Sequence, residues 1–278
     1  MATQGIDVSQ WQGYNIDFNK VKAAGINFVI LRAGFGKYIS QKDPTFEGNY
    51  KRAKAAGLNV GAYWYSYAQS ETDARTEADV FMRAIEGKTF EMPLYFDLEE
   101  HSQFSKGAAY CSKITEIFCG TLEKAGYFAG LYISRSPLQQ YINASTAKKY
   151  ALWIAEYNSK CNYNGDFGMW QNTSTFRVNG TSGDIDHDFC YVDYPKIIKN
   201  GGFNKFPKSK AEEKPKTENK VQNTAAKPAE KKTQTESKTE TKASTEFERG
   251  DVNGDGKIDM KDVIQIAAHV KGKKPLKK

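Results

Sequence analysis

The chain has 278 residues and a formal net charge of +7, a length that suits one to two domains with a sizeable core. Of its 36 aromatic residues, 35 lie at or before Phe206, where 22 Lys and Arg face 21 Asp and Glu; beyond that point the balance is 18 against 12. The positive charge therefore sits in an apolar-poor tail mixed with Glu rather than on a folded basic face, which argues against a nucleic-acid partner, and no run of about 18 or more apolar residues offers a membrane span.

The first residues, Met1 to Asp7, show no basic region followed by an apolar stretch, and strand-like sequence begins almost at once. A secreted, extracellular chain is expected, its signal peptide removed or its export taking another route. Strand patterns follow at 6–9, 28–33, 60–65, 93–98, 129–133, 151–155, 168–171 and 184–189. Helical patterns at 18–24, 44–56, 71–85 and 108–125 lie between them, and three end in an Ala-Gly pair suited to a helix C-terminus: Ala24-Gly25, Ala56-Gly57 and Ala125-Gly126. Continuously apolar runs such as Phe28-Val-Ile-Leu31 are those of strands covered on both faces. The alternation predicts an α/β fold, a parallel TIM-like (β/α) barrel, with a doubly wound open sheet as the alternative. Segments 133–151 and 156–168 are poor in helical periodicity, so the barrel should be irregular, with shortened or missing helices.

Four cysteines match no metal-binding spacing. Cys111 and Cys119, eight apart on a predicted helix, stand about 12 Å from each other and cannot bridge. Cys161 and Cys190 either pair or join the others as buried thiols.

The sharpest local feature is Pro93-Leu-Tyr-Phe-Asp97-Leu-Glu99-Glu100-His101. Alternating strand positions share a face, so Asp97 and Glu99 point the same way, about 6–7 Å apart at the backbone. They do so at a strand's C-terminal end, which in a parallel barrel builds the active site. One member of such a pair can be raised in pKa to act as general acid while the other stays ionised, as glycosidic cleavage requires; a surface salt-bridge cluster is the competing explanation. Asp7 on the first strand and Asp186 on the last become neighbours if the barrel closes. Tyr63, Tyr65, Tyr132, Trp153 and Trp170 recur at strand ends and would rim an acidic floor with rings suited to sugar faces, whereas Trp64 points the other way, into core. A metal site from Asp184, Asp186, His187 and Asp188 is disfavoured, because alternation sends Asp186 and His187 to opposite faces.

Taken in order, Gly5-Ile-Asp7-Val-Ser-Gln-Trp-Gln12, Arg32-Ala-Gly34, Gly57-Leu-Asn-Val-Gly61-Ala-Tyr63-Trp-Tyr65, Asp97-Leu-Glu99, Leu152-Trp153-Ile-Ala-Glu-Tyr157, Met169-Trp170-Gln171 and Ile185-Asp186 resemble glycoside hydrolase family 25. These are lysozymes that act as N-acetylmuramidases. The resemblance covers about residues 4 to 200. It implies an irregular α/β barrel and hydrolysis of the β-1,4 bond between N-acetylmuramic acid and N-acetylglucosamine in bacterial peptidoglycan, by a monomer that needs no cofactor for catalysis. It also implies Glu99 as general acid, with Asp7, Asp97 and Asp186 as the other acids of the site. Arg32, Tyr63, Tyr65, Tyr132, Trp153 and Gln171 are the expected substrate contacts. Because Asp97 stands beside Glu99 rather than on the opposite face of the bond, attack by the 2-acetamido oxygen is expected, with Asp97 holding the amide N–H and configuration retained. A catalytically silent glycan-binding barrel is the alternative; a chitinase is not expected, because the D-x-x-D-x-D-x-E pattern is absent around Glu99.

Residues 1–206 thus form the expected catalytic barrel and 207–248 a Lys-, Glu- and Thr-rich segment too poor in apolar residues to pack, read as a flexible, disordered linker. Residues 249–278 regain pattern as a small helical calcium-loop segment. Asp251, Asn253, Asp255, Lys257 through its carbonyl, Asp259 and Asp262 occupy the ligand positions of a calcium loop, with Gly256 at its turn. Asp in place of Glu at the last position resembles a single dockerin repeat. This implies bound calcium and a cohesin-type partner, the latter left open because dockerins normally carry two repeats and this sequence holds one.

Overall fold

A computed structural model of the chain describes residues 2–208. The tail segments at 209–278, including the expected calcium ligands Asp251 to Asp262, lie outside the described residues.

Eight strands close into a barrel in chain order: β1 (Thr3–Val8), β2 (Phe28–Phe35), β3 (Asn59–Tyr65), β4 (Leu94–Asp97), β5 (Ala129–Ser134), β6 (Ala151–Ala155), β7 (Met169–Phe176) and β8 (Ile185–Cys190). Closure excludes the doubly wound sheet. Helices α1 (Phe18–Ala23), α2 (Phe46–Ala55), α3 (Glu71–Ala84) and α5 (Ala108–Lys124) match the four predicted, and α4 (His101–Phe104) adds one turn after β4. The Ala-Gly ends behave as expected: Gly25, Gly57 and Gly126 take φ of 96°, 73° and 83°, conformations that stop a helix without a Cβ penalty. The irregularity falls where periodicity fades. The β5–β6 connection carries only α6 (Arg135–Tyr141) and α7 (Ala144–Ala147), and none of the described residues between β6 and β7 is helical.

One expectation is corrected. The barrel is not wholly parallel: β1 to β7 run parallel, but β8 runs antiparallel to both β7 and β1. A parallel partner needs a crossover of a dozen or more residues, and the short link from Phe176 to Ile185 allows only a hairpin. The reversal matters for the site, because it brings the start of β8, with Asp186, to the same rim as the C-terminal ends of the other strands.

Alternation divides the core into two layers. Outward residues such as Val29, Leu31, Val60, Trp64, Phe96 and Leu131 pack under the helices, with Trp64 fully buried as predicted. Inward residues Phe28, Ile30, Tyr95, Trp153 and Met169 fill the barrel's lower half. Glycine makes room for these rings: a Cβ on Gly130 would lie 2.4 Å from the Tyr95 ring, and one on Gly5 would lie 2.1 Å from Phe28. Helix α8 (Tyr194–Gly201) closes the bottom, where Tyr194 and Phe203 meet Phe128 edge to face. Cys111, Cys119 and Cys190 are buried; no disulfide joins Cys161 to Cys190, whose thiol donates to the Val192 carbonyl at 3.1 Å.

Candidate active site

The upper half of the barrel is polar because most strands deliver a polar inward residue near the rim. Register places them side by side: Asp7 pairs with Asp186, Tyr65 with Asp97, Asp97 with Tyr132, Tyr132 with Trp153, and Gln171 with Asp188. The structure thus brings together Asp7, Asp97, Asp186, Tyr132 and Gln171 as expected, and Glu99 joins them from two residues beyond the end of β4. Gln171 is the hub. Its Nε2 donates to Asp7 Oδ2 at 2.7 Å, while its Oε1 accepts the hydroxyls of Tyr132 at 2.8 Å and Tyr157 at 3.2 Å.

Crowding acids in a low-dielectric barrel raises their pKa values. Burial pushes Asp97 well above the usual carboxylate range, Glu99 adds to this, and the Arg32 guanidinium opposes it. Asp97 Oδ1 is buried with no hydrogen-bond partner. Glu99 keeps surface open to solvent, yet its walled position and the charges of Asp186 and Glu100 raise it too, against a contact from Tyr132. Burial brings Asp186 to about 6, and burial with the charges of Asp186 and Asp188 lifts Asp7 well above its ordinary value.

Arg32 sits at the rim among aromatic rings, its guanidinium 6.0 Å from the Trp11 ring and 5.9 Å from Phe35. Its Nε donates to buried Asp43 at 2.8 Å. Asp43 also accepts from the Gln10 amide at 3.0 Å and from the Thr45 hydroxyl at 2.6 Å, so one carboxylate ties the exit of β1 to β2 and to the start of α2. Tyr63 is half-buried and contacts Trp153 edge to face at 6.1 Å, and Tyr65 donates to Glu100 at 2.7 Å.

Two ring placements differ from expectation. Trp153 is buried inside the barrel, where its Nε1 donates to Asp188 at 2.7 Å, so it supports the floor from behind and offers no face to a ligand. Trp170 points outward, stacked on Phe189 at 5.6 Å. The open rings are instead Trp11 and Tyr14, Tyr38, Tyr67 and Tyr157, in the segments that follow β1, β2, β3 and β6. Sequence reasoning missed these, although Trp11 and Tyr157 lie within quoted motifs, and position just past a strand end was the available signal. It named Asp188 only in the disfavoured metal reading, although this is the inward residue two beyond Asp186, and it missed Asp43, which no local pattern marks. His187 points outward and hydrogen-bonds Asn172 at 2.7 Å and Gln4 at 3.1 Å. Among the described residues no group of three or more His, Cys, Asp or Glu is arranged to hold a metal ion.

Comparison with known proteins gives this geometry a family. The sequence model described as Glycosyl hydrolases family 25 matches residues 6–181. An autolytic lysozyme of Clostridium acetobutylicum is 32% identical over 186 residues, 66% of this chain and 55% of that protein, so the chain spans little more than half of that relative. Lysozyme M1 of Streptomyces globisporus is 29% identical over 207 residues, 67% of each chain. Among solved structures, the autolysin LytC of Streptococcus pneumoniae, in complex with a synthetic peptidoglycan ligand, aligns with a TM-score of 0.61 at 28% identity, covering 68% of this chain and 47% of that one. A bacterial lysozyme from Streptomyces coelicolor aligns at 0.59 and 25%, covering 69% and 93%. The chain belongs to glycosyl hydrolase family 25.

Proposed function

We propose that the protein is a secreted peptidoglycan hydrolase that cleaves the β-1,4 bond between N-acetylmuramic acid and N-acetylglucosamine, with Glu99 as general acid. The observation that carries this reading is the pairing at the end of β4: a solvent-open acid with a raised pKa beside a buried carboxylate whose Oδ1 has no partner. Burial and the Glu99 charge raise Asp97, and burial with the charges of Asp186 and Glu100 raises Glu99, so both acids lean toward their protonated forms in the free protein. A substrate amide N–H donated to Asp97 Oδ1, together with the Arg32 charge, favours ionised Asp97 and leaves the proton on Glu99, where the leaving oxygen needs it. The 2-acetamido oxygen, its amide held by Asp97, then attacks the anomeric carbon as Glu99 protonates the departing sugar. Exposed rings on four rim loops supply flat faces for a glycan strand. The relatives named as lysozymes support the same substrate.

Proton NMR of the first product formed from a short peptidoglycan glycan tests the chemistry. Retained anomeric configuration is expected; inversion contradicts acetamido participation and assigns an acid across the site to activating water. For the tail we propose calcium binding by the loop at Asp251 to Asp262, with a cohesin-type module as partner once a second repeat is supplied. Adding calcium should change the far-ultraviolet circular dichroism of the full chain, and no change removes the calcium assignment.

A further inference from the structure

The proposed reaction makes no use of Asp188, an acid inside the barrel. Asp188 is completely buried beneath the mouth, two residues along β8 from Asp186 on the same inner face. Its Oδ1 accepts the Trp153 indole N–H at 2.7 Å, and its Oδ2 meets no donor. Asp7 is nearly as buried, and its Oδ2 is taken by Gln171 at 2.7 Å. Across the β1–β8 pairing Asp7 stands opposite Asp186 and Gly5 opposite Asp188, so Asp7 and Asp188 are diagonal neighbours on the barrel's inner face.

The groups that act on this pair from the surrounding strands are acidic or neutral. Asp186, Asp97, Tyr63, Tyr132 and Tyr157 face Asp7, and Asp186, Tyr95 and Cys190 face Asp188. Arg32, the cation at this mouth, is tied to Asp43 and acts on Asp97 and Tyr63. Two full negative charges side by side in such surroundings are strongly disfavoured, whereas one proton between them satisfies the unpartnered oxygen and removes a charge.

We infer that Asp188 and Asp7 hold a single shared proton at neutral pH, and that Asp188 is thereby a positioning residue for the site. The consequence is directional. With the proton on the Asp188 side of Asp7, Asp7 Oδ2 stays an acceptor, so Gln171 must turn its amide N–H to Asp7 and its carbonyl to the Tyr132 and Tyr157 hydroxyls. Tyr132 also lies against Glu99. A proton in the interior therefore fixes the polarity of a hydrogen-bond chain that ends at the acid. Its importance for turnover rests on the hydrolase reading, whereas the shared proton itself does not.

The test is carbon NMR of the full chain labelled at its Asp carboxyl carbons. Wild type should show, at neutral pH, an Asp carboxyl resonance shifted toward the protonated form, lost in both Asp188→Asn and Asp7→Asn. In Asp188→Asn the amide supplies a permanent donor to Asp7 and keeps an acceptor for Trp153. If no protonated Asp resonance of the wild type disappears in both variants, the inference fails, whatever the activity. Turnover then tests the positioning role. Asp188→Leu should lose about tenfold in kcat, the scale of one hydrogen bond to a charged group, with KM little changed. Asp188→Asn should lose less, and its activity relative to wild type should climb as pH rises, since it has no shared proton to release. A folded Asp188→Asn that falls as far as Asp188→Leu at every pH contradicts the role. Wild type that releases nothing from peptidoglycan counts against the hydrolase reading, and the NMR result stands apart from it.

Discussion

Glu99 and Asp97 differ in exposure more than in chemistry, and the roles proposed for them rest on that difference. Glu99 meets solvent and hence a leaving group, while Asp97 waits below with an unfilled oxygen. Glu99→Gln keeps the shape and removes the transferable proton, so peptidoglycan turnover should drop by about 10²–10⁴, read as lost clearing of a turbid wall suspension, with glycan binding intact. Unchanged clearing removes Glu99 as the acid. These acids were legible in the sequence because a two-residue spacing on a strand fixes a shared face. Asp43 was not, since its value comes from contacts with Gln10 and Arg32 that are distant in the chain. Trp153 was misread for a related reason: alternation says that it points inward, but not whether the barrel is open or filled at that depth.

At the scale of elements, the strands and the four predicted helices follow from periodicity, and the Ala-Gly ends from the left-handed conformation glycine accepts. Strand direction is not carried by periodicity at all, which is why β8 was expected to be parallel. The hairpin that reverses it depends on Gly180, whose φ of 105° suits glycine and whose carbonyl accepts the Asp17 amide at 2.8 Å. A Cβ there would lie 2.5 Å from the Asp17 carbonyl oxygen. Gly180→Ala should therefore destabilise the barrel by at least about 1 kcal/mol, lowering the melting temperature by about 2–4 °C. An unchanged melting temperature shows that the hairpin does not need this conformation. At the opposite end, buried Asn204 accepts the Phe128 amide at 2.8 Å and donates to the Phe90 and Met92 carbonyls at 3.0 Å, fastening the segment after α8 to the bottoms of β4 and β5. No sequence pattern announced that plug.

Across the whole molecule, the concentration of raised carboxyl groups makes stability depend on pH. Asp186 rises to about 6 through burial, above its unfolded value of about 3.9. Its contribution is therefore complete below about pH 4 and is lost as pH climbs through about 6, where the group must ionise inside the barrel. Asp186→Asn should be more stable than wild type at about pH 8, by roughly 1–2 kcal/mol after allowance for its half-buried setting, and the advantage should vanish near pH 4. A melting-temperature difference that is flat across this range contradicts the assignment. The chain is electrically almost balanced through Phe206, while most of the positive charge lies beyond it. The acidic mouth, rather than net charge, is thus the feature that selects a ligand.

The bond that the protein cuts is read from the ends of the fragments it releases. Purified peptidoglycan digested by the full chain, reduced with borohydride and analysed by mass, should yield fragments ending in reduced N-acetylmuramic acid, and Glu99→Gln should yield almost none. Fragments ending in reduced N-acetylglucosamine, or none at all from the wild type, contradict the account.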